Sequence, residues 1–139
     1  MSGTAFGDPG CPCGSARPRT ACCGPLLDGD RTARTAEELM RSRYTAFALG
    51  DAGYLVRTWH PRTRPADLDS LERHRRRWTG LRVLRTEAGG PQDAEGLVEF
   101  EAGYLDGGRR GAQHEVSRFV RRAGRWVYLE AVDPSPMPG

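Results

Sequence analysis

The chain has 139 residues, 37% of them hydrophobic and 28% charged, which gives enough apolar material for one modest core and too little length for two independent ones. The 21 basic residues are all arginine and are set against 18 acidic ones for a net charge of +3, a balance that argues against a general polyanion binder and excludes Schiff-base or P-loop lysine chemistry. No run approaches the roughly 18 apolar residues of a membrane span, and the first residues lack the basic start and apolar stretch of a signal peptide, so a cytoplasmic protein without a membrane span is expected.

Over the first 34 residues, glycines and prolines interrupt every apolar period, and Cys11, Cys13, Cys22 and Cys23 fall within thirteen residues. Such a segment needs an external staple. Thr35 then opens a helix, with Glu38 completing a capping box and Gly50 suited to the C-cap. Leu39, Met40, Tyr44, Phe47 and Ala48 recur at spacings of three and four and form one core-facing stripe. A second helix is expected from Asp51 through Trp59, limited by Pro61. Arg62 to Ser70 reads as a connection running into a short third helix over Asp67 to Arg75.

From Arg77 the pattern changes to strands over Trp78–Arg85, Glu95–Leu105, Gln113–Arg122 and Arg125–Val132, separated by Gly89-Gly90-Pro91, Asp106-Gly107-Gly108 and Ala123-Gly124. An antiparallel meander follows. Val98, Phe100, Ala102 and Tyr104 share one face, whereas Phe119 shares its face with Glu115 and Ser117, and Val116 with His114 and Arg118. Mixed faces of this kind suit a curved sheet whose concave side holds helices over part of its area and polar groups elsewhere. The fold class is therefore α+β, divided as a cysteine module over 1–34, a helix-and-sheet domain over 35–133 and a frayed tail over 134–139.

The cysteines form a C-x-C…C-C array with eight residues between Cys13 and Cys22. Four thiolates at about 2.3 Å from one zinc ion lie roughly 3.8 Å apart, and adjacent cysteines meet that requirement in a turn or helical conformation. The −2 charge of such a site calls for nearby guanidinium groups, which Arg17 and Arg19 supply, and glycines let backbone N–H groups approach sulfur. Paired disulfides and redox-active thiols are the competing readings. The first suits an oxidising compartment and would strain a vicinal bridge; the second requires exposed, low-pKa sulfurs. A tetrathiolate site binding one zinc ion, with iron as the alternative metal, is the favoured reading, its ligands Cys11, Cys13, Cys22 and Cys23.

Cys11-Pro12-Cys13-Gly14-Ser15 followed by Cys22-Cys23-Gly24 closely resembles the SEC-C motif, the zinc-binding element at the C-terminus of the SecA translocase motor. Met40 to Phe47, Tyr54-Leu55 with Thr58-Trp59-His60-Pro61, Val98-Glu99-Phe100, His114-Glu115 with Ser117-Arg118-Phe119, and Gly124-Arg125-Trp126 resemble the recurring segments of the YchJ family. The resemblance runs from Cys11 to Ala131. It implies a SEC-C motif followed by a nuclear transport factor two-like cone, in which a curved antiparallel sheet wraps around helices and leaves a pocket. By analogy with the translocase motor, it also implies a partner in export or translation, either a SecB-like chaperone or the ribosome.

The cone fold does not decide chemistry, because it serves isomerases, dehydratases and pure binders alike. Tyr44, Trp59, His60, Glu99, Glu101, His114 and Glu115 are the residues able to supply acid-base groups. Most have a plainer reading: Tyr44 and Trp59 as core aromatics, His60 as a partner of terminal helix carbonyls, and His114 and Glu115 on opposite sheet faces. No catalytic set is assigned. The dense run Arg73, His74, Arg75, Arg76 and Arg77 reads as a solvated helix end beside Asp67, Asp69 and Glu72, and no motif for specific DNA recognition accompanies it. The expected function is therefore a non-catalytic metal-binding protein that docks a partner. A ligand-binding or enzymatic role for the cone pocket is the alternative.

Overall fold

The computed structural model describes residues 10–66 and 76–132. The helix expected over Asp67 to Arg75 and the tail over 134–139 lie outside the described residues. A 3-10 turn (Arg19–Ala21) precedes three helices, α1 (Gly24–Leu27), α2 (Ala36–Leu49) and α3 (Ala52–Arg57). They are followed by four strands, β1 (Arg77–Ala88), β2 (Glu95–Asp106), β3 (Arg109–Arg122) and β4 (Arg125–Val132). The sheet order is β1-β2-β3-β4 with antiparallel neighbours throughout, the expected meander.

Turn chemistry sets the hairpins. Gly107 and Gly108 both have positive φ (60° and 85°), as do Ala123 and Gly124 (54° and 80°), which is the type I′ geometry that matches strand twist in two-residue loops. The tight turn at Gly107–Gly108 pairs Asp106 with Arg109, so β3 begins four residues before the expected Gln113. Register shifts at Trp78/Gly80 and Val83/Arg85 in β1 and at Arg118/Phe119 in β3 curve the sheet. Its concave side carries Val98, Phe100, Ala102 and Phe119, all buried.

Thr35 caps α2 by accepting the Glu38 N–H at 3.0 Å, and Gly50 ends it in the left-handed region. The Glu38 carboxylate reaches past the cap residue, accepting from Arg34 N at 2.7 Å and Arg31 Nη2 at 2.8 Å. Burial alone would raise this carboxyl, but the two arginines hold it below its ordinary value. A depressed acid contributes stability that is present above the ordinary carboxylate range and is lost as pH falls through the folded value. Glu38→Gln is therefore expected to cost about 1 kcal/mol at neutral pH. Urea unfolding of both proteins at pH 7 and pH 3 should show that gap closing at the lower pH; a gap independent of pH would refute the assignment.

The middle of α2 is buried around most of its circumference, including Ser42, Arg43 and Thr45. The expected stripe is thus too narrow, and Ala48, expected to face the core, is exposed. The reason is that α2 has neighbours on several sides: Thr45 meets the cysteine segment, Ser42 Oγ bonds Tyr54 Oη of α3 at 2.7 Å, and Tyr44 packs edge-on against Trp78 of β1. Asp51 caps α3 through the Tyr54 N–H at 3.0 Å. That helix ends at Arg57 and does not reach the expected Trp59. Its backbone turns to pair with β4, with Tyr128 N donating to Thr58 O and His60 N to Tyr128 O, each at 2.8 Å.

The N-terminus of α2 docks on the first hairpin, where Ala36 N donates to Gly89 O at 2.9 Å. The approach is close because Gly89 and Gly96 face each other without side chains. A Cβ on Gly96 would lie 2.4 Å from Gly89 Cα and 3.1 Å from Ala36 Cβ. One continuous buried cluster joins the four cysteines to Leu39, Met40, Val98 and Phe119.

Candidate functional site

Local geometry brings the cysteines together. Gly14 N donates to Cys11 O at 3.1 Å and Cys11 N to Arg17 O at 2.7 Å, which folds Cys11 to Cys13 into a tight turn. Gly14 sits at φ +84° with the Leu81 carbonyl 3.0 Å from where a Cβ would lie, so only glycine fits without strain. Cys22 ends the 3-10 turn and Cys23 starts α1 in helical conformation, and consecutive sulfurs thereby leave the same junction. Gly24 is required there, since a Cβ would meet Arg19 O at 2.8 Å.

All four sulfurs are buried and lie within 4.8 Å of one another. Cys13 and Cys22 are 3.6 Å apart, Cys22 and Cys23 3.9 Å, close to the roughly 3.8 Å of a tetrahedral tetrathiolate site. The thiols are free, and burial of all four removes the exposure that a redox sensor needs. Ser15 Oγ donates to Cys22 Sγ at 3.1 Å and Arg17 Nη2 approaches it at 3.6 Å. Arg19, expected as a second charge partner, contributes its backbone carbonyl to Cys22 N instead. Arg41 of α2 takes the nearby place, binding Cys13 O at 2.7 Å, a contact across 28 residues that local spacing does not reveal. The Cys13 thiol is lowered to about 4, chiefly because Cys23 donates to it, while that bond and burial push Cys23 up. The donor set and spacing fit zinc or another tetrahedral thiophilic cation.

A second feature is a cavity of about 270 Å³ between α2 and the concave sheet face. Of the residues singled out from sequence, Tyr44, Trp59 and Glu115 line it. Glu99, Glu101 and His114 sit on the opposite face: His114 Nε2 is 2.6 Å from Glu99, Arg85 Nε 3.1 Å from Glu99, and Arg82 Nη2 3.7 Å from Glu101. His114 and then Arg85 hold the Glu99 carboxyl below its ordinary value, as expected of a solvated charge ladder. His60 does not bind helix carbonyls; its Nδ1 accepts the Arg62 N–H at 3.0 Å, because Pro61 turns the chain away from the helix end.

Sequence reasoning missed Arg43. It is 4% exposed, donates through Nη1 to Leu55 O at 2.9 Å and Thr58 Oγ1 at 2.7 Å, and packs against the rings of Trp59 and Tyr128, each within 5 Å. Burial lowers it to about 10, so it stays charged at neutral pH. The available signal was its position, four residues after Leu39 and four before Phe47, which places a charge on the apolar stripe. Nearby, Trp59 Nε1 is the one buried side-chain donor with no partner among the described residues. Such an orphan costs about 1–3 kcal/mol unless an acceptor reaches it.

With this geometry in place, comparison with known proteins identifies the lineage. The family model "YchJ, middle NTF2-like domain" matches residues 35–131. The chain belongs to the YchJ family. This YchJ-family chain is 52% identical to a UPF0225 protein of Streptomyces coelicolor over 88% of its own length and 94% of the relative's. It is 50% identical to a UPF0225 protein of Chromobacterium violaceum, covering 88% and 91%. Among solved structures, a SEC-C motif containing protein from Rhodopseudomonas palustris superposes with a TM-score of 0.81 at 39% identity, covering 88% of this chain and 97% of that one. Another from Psychrobacter arcticus gives 0.75 at 30% identity, covering 87% and 80%. The NTF2-like cone expected for YchJ relatives is thus the fold observed, and no helix among the described residues is long and apolar enough to cross a membrane.

Proposed function

We propose that this YchJ-family protein is a non-catalytic, cytoplasmic zinc protein whose Cys11, Cys13, Cys22 and Cys23 hold one metal ion and shape a docking surface for a protein or ribosomal partner. The observation that carries the reading is the convergence of four buried sulfurs at tetrathiolate spacing. In this reading residues 1–34 form the SEC-C-type module and 35–133 the cone.

A groove beside the module favours an anionic partner surface. Leu26, Gly29 and Ala33 line it together with Arg57, Arg64, Arg122, Arg125 and the Glu38-paired Arg31, and no acidic residue is among its lining within the described residues. On a chain of near-neutral balance, that clustering of one sign directs association toward phosphate or carboxylate groups. The SEC-C element of the translocase motor supplies the analogy to a SecB-like chaperone or the ribosome.

The test combines metal analysis with co-sedimentation on purified ribosomes and capture by a purified SecB-type chaperone. One zinc per chain and binding to one of these partners are expected. Arg122→Glu with Arg125→Glu should abolish binding while zinc content is unchanged. A metal-free chain with four freely titrating thiols would overturn the metal assignment; absence of binding to both partners, or equal binding by the charge-reversed variant, would overturn the docking role.

A further inference from the structure

The cone cavity is chemically separate from the cysteine cluster, and its walls describe a ligand. Met40, Phe47, Trp78, Phe100 and Ala102 provide an apolar lining. Against it stands Arg43, buried and charged, with both of its hydrogen bonds leaving from Nη1. Among the described residues, its Nη2 and Nε have no hydrogen-bond partner. The Nη2–Nε edge is the planar fork that a carboxylate accepts from in bidentate fashion. Trp59, stacked on the same guanidinium, carries the unpartnered Nε1.

Glu115 does not satisfy that edge. Its carboxylate already accepts from Gln113 Nε2 at 3.1 Å, Ser117 Oγ at 2.6 Å and Tyr128 Oη at 3.2 Å. A second cation, Arg76, lies over the Tyr104 ring at 4.1 Å and bonds Gln113 at 3.3 Å, so the lining carries two arginines against one glutamate. One unit of positive charge is left over, and a second carboxylate on the ligand would face Glu115.

We propose that this cavity binds a small amphipathic monocarboxylate, its carboxylate on the free edge of Arg43 and its apolar body against Phe47, Trp78 and Phe100. The cavity's volume of about 270 Å³ lies just below the roughly 300 Å³ at which drug-sized sites begin, which suits a small ligand. Aromatic walls and a single buried cation select for the pairing of a flat or branched apolar body with one charge. The arrangement binds and orients such a ligand.

The test uses the full chain and three single-ring probes of similar size that differ in charge: benzoate, benzamide and benzylamine. Tryptophan fluorescence reports binding through Trp59 and Trp78, and heteronuclear NMR of the indole N–H groups locates it. Benzoate is expected to bind saturably and to shift the Trp59 signal, with benzamide about tenfold weaker or worse and benzylamine silent. Arg76→Gln should weaken benzoate severalfold and Arg43→Gln at least tenfold. Should Arg43→Gln fail to fold, the NMR map on the unaltered chain decides: shifts confined to other surfaces overturn the proposal. So do equal affinities for benzoate and benzamide, a preference for benzylamine, or no saturable benzoate binding at its highest soluble concentration.

Discussion

Removing the proposed metal with a chelator is expected to lower the melting temperature of the whole chain by about 10 °C or more, in a single cooperative transition. In a tethered finger, metal loss would unfold the finger alone. Here Cys11, Cys13, Cys22 and Cys23 are part of the buried cluster that contains Leu39, Val98 and Phe119, and Arg41 ties α2 to the Cys13 carbonyl. Four buried thiolates without a cation repel one another; four thiols take up protons and lose the metal bonds that would tie the Cys11–Cys13 turn to Cys22 and Cys23. Calorimetry with and without chelator, alongside near-UV circular dichroism of Trp78 and Trp126, measures the effect. A cone transition that stays in place after the metal has demonstrably left would show the cysteine segment to be energetically separate. The same coupling makes the exposed-arginine variants the cleaner probe of docking, because cysteine replacements disturb the core as well.

The second large effect is expected at Gly96. Gly96→Ala should cost about 3 kcal/mol or more, because its Cβ would lie 2.4 Å from the Gly89 backbone, a group that cannot swing aside as a side chain does. Relief requires prising Gly89 away from Gly96 within the first hairpin, which strains the Gly89 N to Glu95 O bond that closes the hairpin and the Ala36 N to Gly89 O bond that docks α2 on it. Gly80→Ala is the matched control. It places a methyl on the same sheet where nothing lies within 4 Å, and it should change stability by less than about 1 kcal/mol, in the stabilising direction if at all. Urea denaturation of both variants compares them directly; similar midpoints would show that the hairpin gives way freely.

What was legible in the sequence was what neighbouring residues decide among themselves. Thr35, Glu38 and Gly50 delimit α2 through local capping, and Gly107-Gly108 and Ala123-Gly124 mark hairpins through backbone conformations that few residues adopt. The cysteine cluster was legible because its ligands come from one short loop with glycines at the two close approaches. Contacts set by register or by distant elements were hidden. Pairing Glu99 with His114 requires knowing how β2 and β3 align, and Arg41 reaches Cys13 only once α2 lies against the cysteine turn. Gly96 gives no signal until the hairpin folds back on Ala36. Trp59 leaves its helix because β4 offers its backbone a better partner, and the periodicity of residues 51–59 contains nothing about β4.

That partner has a consequence for the free protein in solution. A four-stranded open sheet has two edges, and an exposed edge is a template for another chain. On the β4 side, Thr58 and His60 already occupy the Tyr128 backbone groups at 2.8 Å, so local pairing is satisfied from within. On the β1 side the strand carries Arg77, Arg82, Arg85 and Glu87, with Arg82 and Arg85 paired to Glu101 and Glu99 of β2, and charged side chains along an edge disfavour its pairing with another chain. Backbone occupation at Tyr128 guards part of one edge and charged side chains the other, which resists fibrillar stacking of the cone.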